Sequence, residues 1–183
     1  MSKRPIKIKK AAQKKARPKK APAKKAVAHV IDVAAPTAAW IRALPRATAI
    51  ARRAARAALE GQRRPCEVSL LLAGDAQVRQ LNRDYRHKDK PTNVLSFPAG
   101  AEAAPLLGDV VVAFGVTQRE AANERKTLAA HLTHLVIHGV LHLFGYDHTD
   151  DRDAAVMERR ESAIMARMGL ADPYAEAPVP PRR

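Results

Sequence analysis

A single cysteine, Cys66, has nothing to pair with inside the chain, which excludes an internal disulfide and points to a reducing compartment. There is also no run of eighteen apolar residues to cross a membrane, so the expected setting is the cytoplasm. Aromatic residues are only 4% of the sequence, which leaves no obvious platform for stacking nucleobases. Acidic residues are missing from the first thirty positions, which hold twelve Lys or Arg. The other 153 residues carry twenty-one basic and eighteen acidic side chains, so the net charge of +15 falls to +3 outside this segment.

Residues 1–26 are a Lys, Ala and Pro tract with too few apolar side chains to offset the entropy of ordering, and are expected to be a disordered arm. Like charge on a flexible arm favours polyanions, because each neutralised phosphate releases a counterion; a solvated, solubilising extension is the alternative. The arm lacks the continuous apolar stretch of a secretory signal, and its Lys and Pro richness without a run of serines argues against a transit peptide. Residues 175–183 form a second short tail rich in Pro and Arg.

Between the tails, 27–174 are expected to fold as one domain. The spacing predicts strands over 27–33, 66–74, 93–97 and 106–115, and helices over 47–62, 76–86, 117–126, 127–144 and 150–169. Asp75 is expected to cap the helix that follows it, and Thr117 with Glu120 to form a capping box. Runs of this order imply an α+β domain: a small mixed β-sheet packed against helices, without internal repeats.

The chemistry concentrates in HGVLHLFGYDH, residues 138–148. On a helix advancing about 100° per residue, His131, His134, His138 and His142 share one stripe, and His138 and His142 are neighbours at i and i+4. A continuous helix would carry His148 off that stripe. Gly145 tolerates positive φ, so it can end the helix and let Tyr146 and Asp147 bring His148 back. Three imidazoles without a thiolate suit one zinc ion per chain with an open fourth position, nickel and copper being alternatives. His131 and His134 are expected to pack or hydrogen-bond carboxylates, and Asp147 to accept backbone N–H groups in the turn. The spacing approaches that of a zinc peptidase, but Gly139 stands where such an enzyme keeps its glutamate base, which weakens peptide hydrolysis as a reading.

That motif, with YRHKDKPTNVLSFP upstream and GDVVVAFG between them, resembles the YbeY family of bacterial rRNA maturation factors over about residues 28–174. The resemblance implies a zinc-dependent, single-strand-specific endoribonuclease acting in small-subunit rRNA 3′-end processing and ribosome quality control. It implies zinc ligation by His138, His142 and His148, an arginine important for activity at Arg86, and contact of Asp109 with a small-subunit ribosomal protein. Lys88 and Lys90, beside Arg86 in the charged loop, are then candidate RNA contacts. The one local difference noted is His87, where many relatives have glycine. The competing reading is a ribosome-assembly factor in which zinc staples the fold; structural zinc sites, however, normally supply four protein ligands.

Overall fold

The structure, a computed structural model, describes residues 27–175; the basic arm and the end of the C-terminal tail lie outside the described residues. Four strands, β1 (Val30–Ala34), β2 (Glu67–Ala73), β3 (Val94–Pro98) and β4 (Leu106–Ala113), form one sheet in the order β1-β2-β4-β3. β1 and β4 run parallel to β2, whereas β3 is antiparallel to β4, so the sheet is mixed. Among the described residues six α-helices accompany it: α1 (Ala38–Ala43), α2 (Ala47–Ala58), α3 (Asp75–Arg86), α4 (Phe114–Asn123), α5 (Leu128–Leu143) and α6 (Asp151–Arg167).

Strand side chains alternate between faces. Ile31, Val68, Leu70, Leu72, Val110 and Val112 share a core with α2, α5 and α6, while Leu71, Val111 and Ala113 meet α3 on the opposite face through Val78 and Leu81. The helix α5 comes unusually close to the sheet at Gly139, where a Cβ would lie 2.5 Å from Val110 Cγ1 and 3.2 Å from Ser96 Oγ. The Ser96 hydroxyl donates to the Gly139 carbonyl across this contact at 3.0 Å. Glycine is therefore needed here for close packing, and a carboxylate at 139 would be driven into the sheet. Gly139→Ala is expected to cost about 1–3 kcal/mol through overpacking, read as a lowered denaturant midpoint.

The sequence-based caps need correction. The Asp75 carboxylate does not cap its own helix, whose N-cap is Gly74. It accepts instead from the Gly115 and Val116 amides at 2.7 and 3.2 Å, closing the N-terminus of α4 forty residues away, and pairs with Arg119 at 3.0 Å. Accordingly α4 begins at Phe114, not at a Thr117 capping box; Thr117 is buried inside the first turn and donates to the Ala113 carbonyl at 2.6 Å. The helix α1 was also absent from the predicted elements. It spans six residues between Pro36 and Pro45 and is held by Trp40, fully buried with Nε1–H donating to the Ala73 carbonyl at 3.0 Å.

Candidate metal centre

The histidine stripe of α5 appears as a ladder of rings: His131 to His134 and His134 to His138 are 6.3 Å apart between centroids, and His138 to His142 is 4.6 Å. After Leu143 the helix closes with the Gly145 N–H on the His142 carbonyl at 2.9 Å and the Tyr146 N–H on the Leu141 carbonyl at 3.2 Å, with Gly145 at φ 83°. This paired closure needs a left-handed residue, which glycine supplies without Cβ strain. The reversed chain carries His148 to within 5.5 Å of His138 and 5.0 Å of His142, ring to ring. The Asp147 carboxylate accepts the His148 amide at 2.8 Å and fixes the turn.

The three rings each offer a nitrogen within 4.8 Å of the other two, and the Nε2 atoms of His138 and His142 are 3.0 Å apart. Small side-chain rotations bring three such donors to the ~2.0–2.1 Å that an imidazole nitrogen keeps from zinc. Burial, and then the neighbouring His138 and His148, hold His142 below the ordinary imidazole pKa, which favours the neutral form that can donate a lone pair.

Behind the triad lies a carboxylate that sequence reasoning missed. Glu161 of α6 is fully buried and accepts from His138 Nδ1 at 2.9 Å, from His134 Nε2 at 2.6 Å and from the Tyr174 hydroxyl. Burial alone pushes its carboxyl upward, but the three hydrogen bonds prevail and bring it down to about 2. An ionised Glu161 accepts the hydrogen bond of His138 Nδ1–H and leaves Nε2, with its free lone pair, facing His142 and His148, the arrangement that orients histidine ligands toward a metal. His131 is bound in turn by Glu120, at 2.9 Å, and Glu120 also accepts from Asn93 Nδ2 at 3.0 Å. His131 and His134 thus both hydrogen-bond carboxylates and stand apart from the convergent triad. A signal for Glu161 was available: it falls on the apolar stripe of α6 with Met157, Ile164 and Met165, an unlikely place for an unpartnered acid.

Arg86, Lys88 and Lys90 do not join this group. They are exposed at the end of α3 and in the loop after it, and among the described residues none enters a salt bridge. The loop itself is anchored. Asp89 takes both its charge-assisted bonds from Arg79 at 2.8 and 2.7 Å, and Asn82 donates to the Lys90 carbonyl at 2.7 Å. His87 sits at φ 56°, the left-handed position where glycine would be unstrained, so the histidine is tolerated at some conformational cost. Asp109 lies on the α3 face of the sheet, exposed at the edge of a groove of about 650 Å³ that also contains Asp32, Leu71, Tyr85 and Phe97.

Comparison with known proteins connects the chain to an enzyme family. The family model described as Endoribonuclease YbeY matches residues 37–169. A curated protein named Endoribonuclease YbeY from Paramagnetospirillum magneticum is 49% identical over 157 residues, covering 80% of this chain and 96% of its own length. One of the same name from Azorhizobium caulinodans is 52% identical over 154 residues, covering 79% of this chain and 96% of its own length.

Proposed function

Because the chain belongs to the Endoribonuclease YbeY family and is a nuclease, we propose that it cuts single-stranded RNA at a zinc ion held by His138, His142 and His148, and that its substrate is rRNA. The convergence of three imidazoles, with His138 set by a buried carboxylate, carries this reading. When bound, zinc would supply Lewis-acid polarisation and positive charge beside a scissile phosphate.

The remaining tasks fall to the protein. RNA brings its own nucleophile, the 2′-OH, so the site must chiefly grip phosphate and align the chain. Arg86 suits that work because its planar guanidinium can fork two phosphate oxygens, and Lys88 and Lys90 add charge along the same loop. The anchored loop holds these cations outward without neutralising them. Peptide hydrolysis is disfavoured, since the position after His138 faces Val110 and has no space for a base.

The assembly-factor alternative has less support: among the described residues the group that could hold a metal contains three donors and no fourth. The groove beside Asp109, with Asp32 as a second carboxylate and an apolar floor, is a suitable seat for a basic ribosomal-protein segment, and the arm over 1–26 for contact with rRNA phosphates in the cytoplasm. Both fit processing of small-subunit rRNA ends on an assembling particle.

Arg86→Ala is expected to lower cleavage of a single-stranded RNA by roughly 100-fold, consistent with loss of a charged transition-state contact, while zinc content and melting temperature stay unchanged. Equal cleavage by the variant and the parent would remove Arg86 from the site.

A further inference from the structure

A cavity of about 680 Å³ opens beside His138. Its walls include Glu120, Glu124, Lys126, His134 and Tyr174, so whatever enters it lies next to the metal centre. The volume is within the ~300–1,000 Å³ range of small-ligand sites and accommodates one nucleoside.

Tyr174 is the informative wall. The chain after α6 turns at Gly169 and returns along α5, where Lys126 Nζ donates to the Pro173 carbonyl at 2.6 Å. This places the tyrosine ring 5.5 Å from His134 at an interplanar angle of 83°, with its hydroxyl on Glu161. The ring is thus fixed at two points, yet the residue remains 43% exposed. A held, accessible aromatic beside the candidate metal centre offers a face on which a base could stack, which a 4% aromatic content gave no reason to expect.

The polar lining bears on which part of a nucleotide belongs here. Glu120 and Glu124 line the cavity together with Arg125 and Lys126; Lys126 is engaged by Glu124 at 2.6 Å, and Glu120 holds His131 and Asn93. Carboxylates repel a phosphate but accept hydrogen bonds from exocyclic amino groups, as acidic side chains do from cytosine N4. A base inside a duplex is stacked and paired and cannot enter such a cavity without being extruded.

We propose that this cavity is a base subsite, in which one unpaired amino-bearing base beside the cut, adenine, cytosine or guanine, stacks on Tyr174. It rests on the single-strand nuclease reading and gives that selectivity a structural cause.

The test uses the full-length zinc-loaded protein and single-stranded RNA oligomers carrying 2-aminopurine at successive positions around the cut, with fluorescence followed before cleavage. Quenching at one position is expected with the parent and with Tyr174→Phe, which keeps the ring. Tyr174→Leu should abolish the quenching and raise KM about 10- to 100-fold, in line with the loss of one base–aromatic stack. Uracil at the quenched position should raise KM several-fold. Cleavage by the parent without quenching at any position, or an unchanged KM in Tyr174→Leu, would overturn the subsite alone. Damage by Tyr174→Phe equal to that by Tyr174→Leu, with zinc lost, would also overturn it by reducing Tyr174 to a support for Glu161. Failure of the parent to cleave would remove the nuclease reading and this inference with it.

Discussion

Replacing His142 with alanine is expected to empty the metal centre and reduce RNA cleavage by well over 100-fold, with the domain still folded. His142 is on the last turn of α5, only partly buried, and its ring is not part of the apolar core. Its removal leaves two donors, His138 and His148, of which one is mounted on a loop. Loss of a residue that merely orients a metal ligand costs about 10- to 100-fold in affinity or activity, so loss of a ligand should exceed that range. The measurement pairs metal content per chain with the cleavage rate on the same sample, and with a thermal melt. Metal retained at one per chain with normal cleavage would place the reacting centre elsewhere.

Glu161→Ala is expected to be the most damaging single change to stability around the site, about 3–5 kcal/mol, because it strands two largely covered imidazole donors and the Tyr174 hydroxyl in one step. His134, His138 and Tyr174 all direct a hydrogen at this carboxylate. Metal affinity should fall about 10- to 100-fold as His138 loses its orientation. Glu161→Gln keeps the shape and one acceptor oxygen, so it should recover part of the stability but less of the metal affinity, since an amide cannot hold the Nδ1 proton as a carboxylate does. The acid branch of the stability curve offers an independent reading. The folded carboxyl sits near 2, below its ordinary 4.5, so its contribution is complete above about pH 4.5 and is lost as the pH falls toward 2. That part of the acid sensitivity should vanish in Glu161→Ala.

Local spacing made the convergence of the three histidines legible in the sequence. The i, i+4 histidines and the left-handed glycine are short-range geometry, and the chain realises them within eleven residues. The longer strands and helices follow from apolar periodicity in the same way. What sequence spacing did not reveal was long-range. Asp75 has the look of a local cap, and only the parallel pairing of β2 with β4 brings it to the amides of α4. Gly139 reads as a missing base until α5 is laid on the sheet, when it becomes a contact with Val110. Tyr174 lies in an irregular segment with no periodicity, and its place beside His134 depends on the return of the chain after α6.

The central claim, that one zinc ion at His138, His142 and His148 is required to cut single-stranded RNA, is tested most directly by reconstitution. Full-length protein stripped of metal by a chelator is titrated with zinc and assayed on one RNA sequence, single-stranded and as a duplex. The expected result is no cleavage without metal, then a linear rise on the single strand that saturates at one zinc per chain, with the duplex left intact. Cleavage that persists in the stripped protein, or that proceeds equally on the duplex, would contradict it.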